Sequence, residues 1–265
     1  LPVVSVSDIF VSPRINDVTA GKSVDGFDYM LKTDQVVHLL GTAGSGKTTL
    51  VRSIVIDLAG RPNGWLPVPY PLSAFEDRHA NLLDAIVEFY EADRAVKGTR
   101  HLLVDALNRG KAFVLLDGLD EVKGQAGVAL RVVNEFVSKA AGNHNKVVIT
   151  QRQATEGAHR VSPISEAAVF TCHALSDPTR AVLVRGWVKV VQSHGLKTPE
   201  DSVVATFCRL VQDGNVLGPM AGNPFLLTVT TLLFLAEWLD RSMWLNSVLS
   251  YPGKTTVLES YYKAI

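Results

Sequence analysis

The run Gly41-Thr42-Ala43-Gly44-Ser45-Gly46-Lys47-Thr48-Thr49 constrains this chain more than any other, because it fills every fixed position of G-x-x-x-x-G-K-[ST]. Its flanks agree with it. Residues 35–40 (QVVHLL) form a short apolar run of strand type. From residue 47 to 58 the apolar positions Leu50, Val51, Ile54, Val55 and Leu58 recur at helical spacing, until Gly60 and Pro62 end the pattern. A strand that turns through glycines directly into a helix offers an anion its inward backbone N–H groups and the positive end of the helix. Glycines at 41, 44 and 46 permit the turn. The nine residues are therefore read as a phosphate loop. Lys47 is placed to reach β- and γ-phosphates, and the Thr48 hydroxyl to ligate Mg²⁺.

The alternation continues beyond the loop. Residues 67–73 (PVPYPLS) read as an edge strand, and 80–94 and 100–108 as helices. Three β-rich runs follow at 111–117 (KAFVLLD), 146–150 (KVVIT) and 167–171 (AAVFT), the first two separated by a helical pattern over 128–141. Strands alternating with helices predict an α/β fold, a P-loop NTPase parallel sheet with helices on both faces. After about Leu175 only helical patterns remain, at 178–192, 203–212, 225–239 and 254–265, so a smaller helical subdomain is expected over 176–265. The α/β domain is then 34–175, and the weakly periodic residues 1–33 read as a leader laid against its core.

A second chemical signal sits at the end of the run Phe113-Val114-Leu115-Leu116. Asp117 closes it, and Gly118-Leu119-Asp120-Glu121 follow. Parallel sheets bind ligands at the carboxyl ends of their strands, so this turn places carboxylates where a ligand would lie. Asp117 has the position of the acid that holds Mg²⁺ opposite the phosphate loop. Asp120 and Glu121 are the candidates to orient or deprotonate an attacking water.

Composition bears on partners and leaves nucleic acid unsupported rather than excluded. Lys plus Arg and Asp plus Glu are 26 each, so no net field draws the chain to nucleic acid. Cys172 and Cys208 lack metal-ligand or redox spacing, which suits buried thiols in a reduced, cytoplasmic protein, and no secretion signal opens the chain. The most apolar stretch, 225–239, is too short to span a bilayer and carries Glu237, so no membrane partner is expected. The histidines show no metal-site spacing. No N-K-x-D run reads guanine, since Asn145-Lys146 is followed by Val147-Val148, and ATP (or ADP after turnover) is the expected nucleotide.

LLDGLDEV, with a small residue after the metal acid and two acids beyond, resembles the NACHT NTPases of the STAND class of signalling ATPases. Further stretches agree: DIFVSPRI near the start, VVITQR like the family's sensor strand, HALSDPTRAVLVRGWV at the entry to its helical subdomain, GNPFLLTV like the proline motif there, and YPGKTTVLESYY beyond. The resemblance implies that Arg152 senses the γ-phosphate and that Pro224 packs on adenine. From the residues alone, Arg152 also fits a surface arginine, and Gly222-Asn223-Pro224 a helix start with proline in its first turn. Gln151 departs from the family's T-[SC]-R pattern. Family members continue into a winged-helix domain and a repeat sensor, so the chain looks like the nucleotide engine without its flanking effector and sensor domains. The resemblance implies a slow ATP switch controlling conformation and a homo-oligomer, in innate immune or antiphage signalling. The alternative is a continuously turning-over AAA+-like ATPase or motor.

Overall fold

The structure is a computed structural model describing residues 6–18, 20–25, 29, 36–60, 64–93, 97–122, 126–153, 163–213 and 218–236. The expected helix at 254–265 and the last residues of the 225–239 run lie outside these. The chain divides into two compact units. One covers residues 12–174; the other joins the described residues up to Val11 to those from Leu175 onward.

The larger unit is built on a seven-stranded sheet. Its strands are β1 (Arg14–Asp17), β2 (Lys22–Asp25), β3 (Val36–Gly41), β4 (Leu66–Pro71), β5 (Ala112–Asp117), β6 (Lys146–Arg152) and β7 (Ala168–Cys172), in the order β2-β1-β7-β3-β6-β5-β4. The five strands from β7 to β4 are mutually parallel. β3 is buried along its whole length, as a strand covered on both faces must be. Three prolines in β4, Pro67, Pro69 and Pro71, cannot donate to a ladder, and this strand accordingly lies at the edge, as its sequence predicts.

Helices α2 (Lys47–Gly60), α3 (Leu82–Glu88), α4 (Thr99–Asn108) and α5 (Ala126–Gly142) cover the sheet. Val114, Leu116, Val147 and Ile149 share one core with Leu82 and Ile86 of α3, Leu103 and Ala106 of α4, and Val132, Val133 and Phe136 of α5. The buried Leu50, Val51, Ile54 and Leu58 of α2 lie outside that core, and α2 packs on the opposite face against β3, β4 and β5. The helix predicted over 80–94 is interrupted: α3 ends at Glu88 and a π-helical turn covers Phe89–Asp93.

Described residues of the N-terminal stretch form two strands of the sheet. β1 and β2 pair antiparallel, and β1 pairs antiparallel with β7, with Ile15 fully buried and opposite Cys172. Four-residue strands are too short to show a clear period of two, and β7, which β1 joins, lies far along the chain, so pairing rather than pattern defines them. Ahead of them, α1 (Val6–Ile9) belongs to the other unit, where it packs on α6 (Asp177–Ser193). Gly186 faces this contact, where a Cβ would stand 3.4 Å from the Asp8 carbonyl oxygen, at ordinary van der Waals distance.

That second unit also contains α7 (Asp201–Gln212), α8 (Gly218–Gly222) and α9 (Pro224–Ala236). Its core gathers Leu183, Val184, Trp187, Val188 and Val191 with Val204, Phe207, Val211, Leu227 and Leu235, and Phe207 stacks on Phe234 at 4.1 Å. Among the described residues no helix is long and apolar enough to cross a membrane.

Candidate nucleotide site

β3 delivers the chain to Gly41, and α2 begins at Lys47. Gly44 and Gly46 carry φ of 74° and 91°, a region that side chains disfavour, which is why the turn needs glycine there. Gly41 is required for a different reason. A Cβ at that position would lie 2.6 Å from Ser45 Oγ and 3.1 Å from Cys172 Cβ. Ser45 N–H closes the loop on the Thr42 carbonyl at 3.2 Å, and Leu50 N–H donates to the Gly46 carbonyl at 2.8 Å to start the helix ladder. Ala43, Gly44, Thr48 and Thr49 are exposed, Thr42 and Gly46 half-buried, so the cradle opens to solvent.

Lys47 is buried inside this loop at 8% exposure. Its ammonium donates to the carbonyls of Gly41 (2.6 Å) and Thr42 (2.9 Å) and to Ser45 Oγ (3.3 Å). Burial holds its pKa below the usual lysine range. The Cys172, Asp120 and Asp117 side chains oppose that effect and Arg152 adds to it. Cys172 itself is pushed up to about 12 by burial, so this thiol is inert.

The strand order brings the acids to the loop. β6 lies between β3 and β5, and all three run parallel, so their carboxyl ends meet at one edge. Thr48 Oγ1 donates to Asp117 Oδ2 at 3.0 Å. Gly118, at φ 82°, turns the chain into a 3₁₀ turn over Leu119–Glu121. Asp120 Oδ1 accepts the Arg152 N–H at 2.7 Å, and Arg152 Nε lies 3.6 Å from Asp120 Oδ2. The Arg152 guanidinium also pairs with Glu121 through Nη2. Gln153 N–H then donates to the Gly41 carbonyl at 3.1 Å, tying the end of β6 to the start of the loop.

Lys47, Thr48, Asp117, Asp120, Glu121 and Arg152 are thus brought together by three neighbouring strand ends. Arg152 is not a free surface arginine; it sits on the two carboxylates. Pro224 belongs to the other unit, as the first residue of α9, with Asn223 Oδ1 accepting from the N–H groups of Phe225 (3.0 Å) and Leu226 (3.2 Å). That is a helix N-cap followed by proline at the first position. Sequence reasoning missed Thr150, whose hydroxyl donates to Asp117 Oδ1 at 2.5 Å. Its available signals were a hydroxyl after the apolar run Val147-Val148-Ile149 and the threonine of the family's T-[SC]-R pattern.

The chain matches the NACHT domain family over residues 35–190. Among solved structures, domain III of the replication initiation protein DnaA from Thermotoga maritima is similar with a TM-score of 0.48 and 14% identity, over 77% of this chain and 78% of that one. AMPPCP-bound DnaA from Aquifex aeolicus gives a TM-score of 0.45 at 14% identity, over 76% of this chain and 55% of that one. The HORMA:CdnC:Trip13 complex of E. coli MS115-1 gives 0.42 at 19%, over 69% and 61%. The last two chains are therefore spanned over less than two thirds of their length. No curated protein matches. The family match takes in more than half of the 265 residues, from the strand ahead of the phosphate loop into α6, and the protein belongs to the NACHT domain family of P-loop NTPases.

Proposed function

We propose that this chain is a Mg²⁺-dependent ATP switch, a module that binds ATP, hydrolyses it slowly and uses the difference between ATP and ADP to control conformation and self-association in signalling of the immune or antiphage type. The observation that carries the reading is the meeting of Lys47, Thr48, Asp117, Asp120, Glu121 and Arg152 at the ends of three adjacent parallel strands. The residues present fit the metal. Magnesium is commonly held by one or two protein oxygens plus phosphates and water, and the Thr48 hydroxyl and Asp117 carboxylate, in mutual contact, form such a pair. When bound there, Mg²⁺ supplies neutralisation of charge on the phosphate oxygens.

The chain's own groups do the rest. Lys47 exchanges the carbonyls of Gly41 and Thr42 for phosphate oxygens, which is favourable because a charged acceptor makes the stronger hydrogen bond. Arg152 faces the same choice between the carboxylates of Asp120 and Glu121 and the γ-phosphate. Once drawn to the phosphate, it leaves Glu121 free to orient or deprotonate water. ADP lacks that phosphate and leaves the pair in place. Such differential contact is what a ligand needs in order to shift a conformational equilibrium.

Lys47→Ala is expected to weaken ATP binding at least about 100-fold by calorimetry, since the loop loses its only ammonium, while the circular dichroism spectrum stays unchanged. Unaltered affinity would refute the assignment. Turnover measured with and without nucleic acid then separates a switch from a motor. A rate below about 1 s⁻¹ with ADP retained fits the switch, whereas tens per second with stimulation by polymer fits a motor.

A further inference from the structure

We infer that Thr150 is a positioning residue for the metal carboxylate, holding Asp117 by one oxygen so that the other stays turned toward Thr48; the inference rests on the Mg²⁺-dependent reading above. Thr150 is 1% exposed and lies in β6, one step beyond the Leu116–Ile149 pair that registers β6 against β5. Its hydroxyl makes two bonds. It accepts the Gly118 N–H at 2.9 Å and donates to Asp117 Oδ1 at 2.5 Å.

The direction of these bonds is fixed by chemistry. A backbone N–H can only donate, so the Gly118 contact uses a lone pair of the threonine oxygen. The single hydroxyl proton is then directed to Asp117, where an ionised carboxylate makes the strong, charge-assisted form of the bond. Asp117 Oδ2 accepts from Thr48 Oγ1 on its other side. The carboxylate is therefore gripped through both oxygens, by the loop at one and by the neighbouring strand at the other. Without Thr150 it would pivot about its own side-chain bonds and present a less defined oxygen to a cation. Threonine suits the task better than serine because its branched Cβ stiffens χ1 on a strand.

A purely structural role would look different in solution. If Thr150 only satisfied the Gly118 N–H, its loss would disturb the turn and weaken nucleotide binding with or without metal. If it positions Asp117, the metal-dependent part alone should suffer. Removing a group that orients a metal ligand typically weakens metal affinity by about tenfold or more.

The test is calorimetric titration of ADP into the full chain, in EDTA and across a Mg²⁺ series, for wild type, Thr150→Val and Thr150→Ser. Thr150→Val should bind ADP in EDTA like wild type but need about tenfold more Mg²⁺ for the same gain in affinity, with Thr150→Ser restored to within about threefold. Should the valine variant not fold, Thr150→Cys carries the same comparison, being similar in size with a weak donor. An unchanged Mg²⁺ requirement, or an equal loss in EDTA, overturns the inference. Wild-type protein without any Mg²⁺-dependent nucleotide binding would instead overturn the reading on which it rests.

Discussion

His38 lies in the middle of β3, 1% exposed, on the strand that feeds the phosphate loop. Burial lowers its pKa from 6.5 to about 4, and the hydrogen bond with Gln151 only partly opposes this. The folded protein therefore binds this proton less readily than the unfolded chain. Stability contributed by the neutral ring is complete above pH 6.5 and is lost as the pH falls from 6.5 toward 4, by roughly 3 kcal/mol in total. His38→Val should flatten the pH dependence of the urea midpoint across that window, whatever it does to absolute stability. A slope identical to wild type would show that other groups govern the acid response. The same residue-level accounting explains the bland fate of Cys172, whose burial against Lys47 leaves an unreactive thiol packed beneath the loop.

At the level of elements, burial decides which polar contacts matter. Arg78 joins Glu76 and Glu88 in a visible cluster, with His79 on the same Glu88, but these carboxylates are exposed and solvent screens them. Asn145 is fully buried and makes three bonds: Oδ1 accepts the Ala112 N–H at 2.9 Å, and Nδ2 donates to the carbonyls of Leu107 (2.8 Å) and Ala140 (3.1 Å). It links the ends of α4 and α5 to the start of β5. Its pairing with Lys146 in sequence has nothing to do with reading a base. Asn145→Ala should cost about 3 kcal/mol by urea denaturation, since buried partners are left unsatisfied, while Arg78→Ala should leave the midpoint unmoved. Equal effects would reverse this ranking. The π-helical turn over Phe89–Asp93 belongs to this scale too. Tyr90 leaves the α3 pattern there and donates its hydroxyl to the Pro69 carbonyl of β4 at 2.6 Å.

For the whole molecule, the cores of the two units are separate apolar clusters, each with its own aromatic and β-branched filling. A nucleotide that binds only the folded state stabilises it by mass action. At a ligand concentration 100 times Kd, Mg²⁺–ADP should add about 2.7 kcal/mol to unfolding, seen as a raised calorimetric Tm. Lys47→Ala should show no such rise. If it rose as far as wild type, the stabilisation would come from some other part of the molecule.

The amino-acid sequence by itself determined the parts of this protein made by consecutive residues. Glycine positions, an apolar strand, a helix start and the lysine between them encode the phosphate loop locally, because backbone conformation and nearby N–H groups depend on neighbours in the chain. The acid at the end of β5 was legible for the same reason. Tertiary structure decided what only strand order can decide. Placing β6 between β3 and β5 put Thr150 on Asp117 and Arg152 on Asp120 and Glu121, each pair more than thirty positions apart in the chain. It also added β1 and β2 beside β7, with β2 at the sheet edge, although their short spans carry too little pattern to announce themselves. Cross-strand neighbours are set by pairing partners far along the chain, and no local spacing records them.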